Sequence, residues 1–544
     1  MTQNRLFRRG GFQTRPCQPE PRLCRTFLKF AGFLSAVVLC LFISAASFAD
    51  DAHLLVIFHT NDVHGHAITE TDRDGRIIAM GYDRLKAIVD GEAAKHKMLL
   101  DAGDVLHGTA FATAKRGELA ARAVSLLGYD AIAVGNHEFD YGPDRLLELR
   151  DKYRLPFLSA NTKKKSDGKL IFPPYSVTYF EDLRVGVFGL TTPMTETSTD
   201  PKNVISLSFG TQADLTDTAR EMTRILRENL SADIVIALTH VGSEPYCEPM
   251  SQAIARAVPG IDIIIDGHSH SVLPDLRVNN TLITSTGAYS ANTGRITVDR
   301  KSGGGFAMSS VLIPASDAEK VVPNPELSWA LTALDGELNR ELSGVVAVSP
   351  TDFNGERKYV RSGSTNLGRV ICAALIKETG ADAAFLNGGT IRGSIASGDI
   401  TKKDILTVLP YANYVRAVNM KGSDLLASIK YGLSEPGSGA FPQFYGMSVS
   451  ARESFVIKNG AKIDSLEVES VTIKGQPLDE NAVYKIATND FISSGGDGYS
   501  LFAGYDYDEF GTLNDAFLKF ISEASADELA AIDGADVIII KQGI

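Results

Sequence analysis

Val134-Gly135-Asn136-His137-Glu138-Phe139-Asp140 closes a short apolar run, Ala131 to Val134, that reads as a buried strand. Taken alone, the Gly-Asn pair is a turn signal, and a histidine beside it is commonly a helix cap or a core residue. The stretch gains weight from its companions. Working outward, His53 to Phe58 leads into His59-Thr60-Asn61-Asp62-Val63-His64, and Lys97 to Leu100 leads into Asp101-Ala102-Gly103-Asp104. Ile234 to Leu238 leads into Thr239-His240, and Ile261 to Ile265 into Asp266-Gly267-His268-Ser269-His270. A lone Asp-x-His or Gly-His-Ser-His is more often a turn with a satisfied histidine than a ligand pair. Every one of these strand-like runs, however, ends in residues able to bind metal, at the place where α/β sheets open their binding crevices. Side chains two apart on an extended segment point the same way, so Asp62 with His64, and His268 with His270, are each expected to converge on one spot. The mix of imidazole, carboxylate and amide suits Zn, Mn, Co or Fe better than Ca or Mg.

Between the runs, Tyr82 to Ala94, Glu118 to Leu127 and Leu215 to Leu230 carry helical periodicity, which makes the first half a layered α/β or α+β unit. Near Ile313 to Pro325 the pattern breaks at Pro314, Pro323 and Pro325, and a helical stretch follows to about Leu342. A second α/β-like pattern runs from about Val345 to the end. For 544 residues at 44% apolar and 22% charged, two globular domains are expected. The divisions are a leader at 1–49, a metal domain at 50–315, a linker with a helix at 316–344 and a second domain at 345–544.

The leader carries Arg5, Arg8, Arg9, Arg15, Arg22, Arg25 and Lys29 against Glu20, then an apolar run from Phe30 to Ser47-Phe48-Ala49. That layout predicts a secretory signal cleaved after Ala49 rather than a retained membrane anchor. Cys24-Arg25-Thr26-Phe27-Leu28-Lys29 has half of a twin-arginine pattern, which leaves the export route open. Removing the leader takes the formal net charge from −12 to −18. So acidic a chain is a poor binder of nucleic acid, and any anionic substrate must be held by metals or a few placed arginines. Cys17, Cys24 and Cys40 leave with the leader, and Cys247 and Cys372, far apart in sequence, read as structural thiols.

In the second half, Leu386-Asn387-Gly388-Gly389-Thr390-Ile391-Arg392 sets a glycine turn before an arginine, a pairing that lets backbone and a guanidinium fork approach a phosphate or carboxylate. Leu409-Pro410-Tyr411-Ala412-Asn413 and Asn489-Asp490-Phe491 through Gly495-Gly496-Asp497-Gly498 follow it.

Together, Asp-x-His, Gly-Asp, Gly-Asn-His-Glu, Thr-His and Gly-His-Ser-His resemble the calcineurin-like metallophosphoesterases, specifically their 5'-nucleotidase branch, over nearly the whole chain after the leader. The resemblance implies a four-layer β-sandwich flanked by helices plus a separate α/β C-terminal substrate-binding domain. It implies two divalent cations, Zn, Mn or Co, one held by Asp62, His64, Asp104 and His270 and the other by Asp104, Asn136, His240 and His268. Relatives carry Gln or Asn at the place of His270, so metal preference is open to change there. The resemblance gives His137 the role of stabilising the transition state or protonating the leaving oxygen, with Asp140, three residues on, orienting it. Two such cations clamp phosphoryl oxygens and activate water, so no Ser or Cys nucleophile is needed.

By the same resemblance Tyr411 and Phe491 stack a base, Asn413 contacts it, and Asp497 accepts from ribose hydroxyls. Arg361 and Arg392 bind phosphate or a terminal group, with Asn387 nearby. Tyr411 replaces the Phe of many relatives, and its hydroxyl needs a partner if buried. Asp382 to Tyr411 and Ser438-Gly439-Ala440-Phe441-Pro442-Gln443-Phe444 look most like the bacterial periplasmic type that hydrolyses UDP-sugars as well as 5'-nucleotides. The resemblance also implies a C-terminal domain that swings about the linker helix to carry nucleotide to the metals. The expected activity is hydrolysis of nucleoside 5'-monophosphates, with di- and triphosphates or UDP-sugars as further substrates, in the service of nucleotide salvage. The alternatives are a 2',3'-cyclic phosphodiesterase with 3'-nucleotidase activity or a sulfur-compound hydrolase on the same scaffold, and, from another class, a capture protein without catalysis. A periplasmic monomer without a membrane anchor is expected, with secretion and a homodimer as the alternatives.

Overall fold

A computed structural model describes residues 53–541 apart from 73, 244–249, 412, 459–460 and 534–537. The leader with Cys17, Cys24 and Cys40, and Cys247, lie outside the described residues.

The strand Leu55–Thr60 is buried along its whole length. Its side chains alternate: Leu55 and Ile57 enter one apolar layer, Val56 and Phe58 the other. It pairs in parallel with His96–Asp101, from Leu55 opposite His96 to Thr60 opposite Asp101. Ala131–Ala133 and Phe157–Leu158 continue the sheet on that side, and the antiparallel Asn292–Arg300 and Phe306–Pro314 complete it on the other. A second sheet orders Val272–Val278, Thr281–Thr286, Ile263–Asp266, Ile234–His240, Arg184–Thr191 and Tyr175–Tyr179. The two sheets face each other through Leu55, Ile57, Leu100 and Ala133 on one side and Val187, Ile236, Leu238 and Ile265 on the other. Helices Tyr82–Gly91, Glu118–Leu127, Pro143–Tyr153 and Pro325–Leu342 cover the first sheet, and Gln212–Arg224 and Met250–Ala257 cover the second. The four expected layers, helix, sheet, sheet, helix, are present.

Two helix ends differ from the sequence reading. The first helix stops at Gly91 because Glu92 is extended. The helix expected from Leu215 starts at Gln212 instead, where Thr211 and Asp214 form a reciprocal cap, and its last turn widens to a π turn at Ile225–Asn229.

The second half is built on a five-stranded sheet in the order Pro442–Tyr445, Ala383–Asn387, Val483–Asn489, Tyr414–Lys421, Tyr507–Thr512. Helices Asn366–Thr379 and Leu513–Glu523 pack on one face, Gly422–Leu433 on the other. The helix Pro325–Leu342 places Leu327, Leu331, Leu334, Leu338 and Leu342 in the core of the first half. From the same helix Asp335 meets Lys403 of the second half at 3.1 Å.

Candidate active site

The parallel strands of both sheets end at one edge of the sandwich, and the turns that follow carry the candidate donors. Asp62, His64, Asp104, His268 and His270 all have positive φ, between 49° and 78°. For residues with a Cβ such left-handed backbone costs about 1–3 kcal/mol each and clusters at functional sites. This corrects one expectation: Asp62 and His64 converge because the chain turns sharply between them, not because they alternate along a strand. A second correction concerns His268 and His270, which part company. His268 Nδ1 lies 3.0 Å from Asn136 Oδ1, whereas His270 Nε2 lies 3.2 Å from His64 Nε2 and 3.5 Å from Asp62 Oδ1.

Two donor groups result. Asp62, His64 and His270 bring one ligand atom each within 4.8 Å of one another, as do Asp62, Asp104 and His240. His240 Nε2 is 3.1 Å from Asp104 Oδ2 and 3.2 Å from Asn136 Oδ1. Asp104 Oδ2 is also 3.7 Å from His64 Nε2, so this oxygen stands between the two groups.

The surroundings aim these atoms inward. His64 Nδ1 donates to the His107 carbonyl at 3.1 Å and His240 Nδ1 to that of Ala102 at 2.7 Å, which leaves both Nε2 atoms facing the site. Asn61 donates to Asp62 Oδ2 at 2.7 Å and is itself held by the Thr286 amide. Gly135 and Gly267 are there for closeness: a Cβ on Gly135 would sit 2.2 Å from Asp104 Oδ1, and one on Gly267 2.7 Å from His240 Nδ1. Burial pushes Asp62 above the usual carboxylate range. Burial also opposes the charge on Asp104, but His240, His137 and His64 outweigh it and hold that carboxyl low. Buried carboxylates ringed by imidazoles and an amide fit a pair of divalent cations.

Beside the donors, His137 Nδ1 bonds Asp140 Oδ2 at 2.7 Å across a 3₁₀ turn, and the His137 amide donates to Asp104 Oδ1 at 2.9 Å. Burial works against a charged His137, yet Asp140 and Asp104 prevail and raise its pKa.

A cavity of about 580 Å³ opens over this edge and is shared between the two halves. Asn136, His137, His268 and His270 line it from one side; Arg361, Asn387, Arg392, Tyr411, Asn413, Phe491 and Asp497 line it from the other. Arg361 is 7% exposed, and its Nε has no partner among the described residues. Burial, with Arg357 and Arg392 beside it, pushes its pKa down to about 9. Arginines crowded together in this way are arranged to receive an anion. Asn387 donates to Asp497 Oδ2 at 2.8 Å. Phe491 packs against Gly496, where a Cβ would meet the ring at 2.5 Å. Asn413 spends its amide on Asp490 Oδ1 at 2.8 Å, and Tyr411 stacks on His107, centroids 4.6 Å apart.

Several residues escaped the sequence reading. Glu138, the last member of Gly-Asn-His-Glu, accepts from the amides of Asp104, Val105, Leu106 and Gly135 and so shapes the Asp104 turn. Arg357 lines the cavity; its spacing of four from Arg361 was the available signal. Gln443, fully buried, donates to the carbonyls of Val360 and Gly363 and fixes the turn that carries Arg361. His107 had no signal beyond its residue type.

Residues 55–272 match the model of the calcineurin-like phosphoesterase family, and residues 344–504 that of the 5'-nucleotidase C-terminal domain. Over 500 residues the chain is 31% identical to protein UshA of Escherichia coli K12, covering 83% of this chain and 87% of that protein. The chain belongs to the 5'-nucleotidase family. This family member is also 30% identical over 533 residues to the 5'-nucleotidase of Vibrio cholerae, covering 90% and 92% of the two chains. Its fold matches the crystal structure of the 5'-nucleotidase precursor from Thermus thermophilus with a TM-score of 0.75 at 26% identity, over 89% of this chain and 99% of that one. It is 30% identical over 502 residues to the trifunctional nucleotide phosphoesterase protein YfkN of Bacillus subtilis, of which it spans 33% of the length.

Proposed function

We propose that this 5'-nucleotidase family member is an exported phosphohydrolase that cleaves nucleoside 5'-monophosphates to nucleoside and phosphate, with UDP-sugars and nucleoside di- and triphosphates as further substrates. The observation that carries the reading is the meeting, over one cavity, of metal donors and the His137–Asp140 couple from one half with arginines from the other.

In this reading Asp62, His64, Asp104 and His270 hold one cation, and Asp104, Asn136, His240 and His268 the second. When bound, two divalent cations would supply Lewis acidity for the phosphoryl oxygens and would lower the pKa of a water at the site. Arg357, Arg361 and Arg392 take the outer phosphate oxygens, while Phe491 and Tyr411 flank the base and Asp497 meets the ribose. The water oxygen bonds to phosphorus as the P–O5' bond breaks, the departing O5' takes the proton from His137 Nε2, and the proton that the water gives up passes through solvent to restore His137. Asp140 keeps the Nδ1 side of that ring bonded, so Nε2 presents the proton. Stacking accepts any base, so broad base tolerance is expected. Residues 50–315 act as the metal domain, 316–344 as the linker and 345–544 as the substrate domain. Export rests on the basic and apolar leader; no described helix is long and apolar enough to cross a membrane.

A second reading on the same scaffold is cleavage of 2',3'-cyclic and 3'-nucleotides; the similarity to a protein described as a trifunctional nucleotide phosphoesterase is compatible with more than one phosphoester substrate. Phosphate release from AMP, 3'-AMP and UDP-glucose, with and without a chelator and with Mn or Zn restored, decides between them. Chelator-sensitive release from AMP but not from 3'-AMP supports the first reading. Release from 3'-AMP alone supports the second, and no release from any of the three after metal is restored overturns both.

A further inference from the structure

His107 has no role in the reading above, yet it is fully buried against the proposed acid. Its Nδ1 lies 3.1 Å from Asp140 Oδ2, the same oxygen that His137 Nδ1 bonds at 2.7 Å. That contact is off the line of an ideal N–H bond, and neither ring nitrogen has a hydrogen-bond partner among the described residues. The His107 ring is near-parallel to that of His137, at 5.5 Å and 14°. Tyr411, brought by the other half of the molecule, rests on His107 at 4.6 Å and 24° and reaches to 5.9 Å from His137. The three rings form a compact triangle over Asp140. These side chains also satisfy the distances for a cation, but the Asp140 oxygen among them is already bonded by His137 Nδ1 at 2.7 Å.

We propose that His107 is a positioning residue that confines the Asp140 carboxylate against His137 and seats Tyr411, so that the acid is aligned when the base-binding segment is docked. The proposal rests on His137 being the acid. Without the His107 nitrogen 3.1 Å from its Oδ2 the carboxylate is free to turn away, and without the ring Tyr411 loses the surface it lies on. The backbone role of His107 is separate, since its carbonyl holds His64 whatever the side chain. Metal content is therefore an internal control.

Two variants divide the roles: His107→Phe keeps a ring for Tyr411 and removes the nitrogens, and His107→Gln keeps a polar group and removes the ring. Turnover is measured with AMP and with p-nitrophenyl phosphate, whose leaving group departs without a proton, alongside bound metal by atomic emission and a thermal melt. In the folded His107→Phe protein, kcat for AMP should fall about tenfold or more with KM within threefold, p-nitrophenyl phosphate turnover should change less than threefold, and metal content should hold. In a His137→Ala background the same change should cost nothing further. Equal losses on both substrates, additive losses in the double variant, or loss of metal would overturn the proposal. Should His107→Phe not fold, the same kcat and metal comparisons on His107→Leu, which also lacks the nitrogens, decide. If His137→Ala alone leaves AMP turnover intact, the acid assignment fails rather than the positioning argument built on it.

Discussion

Arg392 Nη2 lies 3.4 Å from His64 Nε2, so the tip of an arginine from the second half reaches the metal-donor edge of the first. Because His64 Nδ1 donates to the His107 carbonyl, Nε2 is the nitrogen that faces Arg392 as an acceptor. In the proposed mechanism His64 Nε2 would hold a cation and Arg392 would turn to a phosphate oxygen. Arg392→Ala should therefore lower kcat/KM for AMP by about 10- to 150-fold, from the roughly 1.5–3 kcal/mol of a charged hydrogen bond. Arg392→Lys should recover only part, since an ammonium lacks the fork. Steady-state kinetics check both; full recovery by Lys would contradict a fork-like contact.

Asp140 Oδ2 bonds His137 Nδ1 at 2.7 Å, and in the proposed mechanism it acts through that ring. Asp140→Asn keeps the shape but gives the imidazole a neutral partner, and kcat for AMP should drop about 100-fold or more while KM stays within a few-fold. A change confined to KM would place Asp140 in binding instead.

Glu138 accepts from the amides of Asp104, Val105, Leu106 and Gly135. Glu138→Ala strands these donors, at about 1–3 kcal/mol for each left unsatisfied in the interior. A lower melting temperature and easier metal loss to a chelator are expected together. Unchanged chelator sensitivity would mean that the Asp104 turn holds its shape without the carboxylate.

Leu338 is fully buried on the helix Pro325–Leu342, in the core of the first half. Leu338→Ala should cost about 2–5 kcal/mol, as for other large-to-small core changes. Denaturant unfolding measures it; a loss below about 1 kcal/mol would show the helix to be loosely held.

The Glu118 carboxylate is bonded by Lys152, Tyr153 and Arg145. Burial pushes this carboxyl up, but the three bonds outweigh it and hold its pKa down to about 2, below the roughly 4.3 of an unfolded Glu. A depressed carboxyl stabilises the fold above the unfolded value, and that contribution fades as pH falls from there towards 2. The melting-temperature gap between wild type and Glu118→Gln should thus be full at pH 6 and narrow between pH 4 and 2.5. A gap that ignores pH would exclude the charge as its source.

The four-layer scaffold was legible in the sequence because buried parallel strands are short apolar runs, and Leu55–Thr60 and Ile234–His240 announce themselves wherever the chain is read. The donors were legible for a related reason: a metal edge needs His, Asp and Asn at the ends of those same runs, so position in the chain stands in for position in space. Which donors share a group was not legible. His268 and His270 are two apart yet turn to different neighbours, because left-handed backbone at both residues, set by packing against Asp62 and Asn136, overrides the alternation of an extended chain. Glu138 and His107 stayed hidden because what they meet is a backbone amide, which carries no residue type, or a side chain about 30 to 300 residues away, and Arg357 because only the fold brings it to the cavity. The sequence by itself determined the layers, the metal-binding edge and the family resemblance, all of which follow from local patterning. Only the tertiary structure decided that Arg392 meets His64 and Tyr411 meets His107, because those contacts depend on how two separately patterned halves close over one cavity.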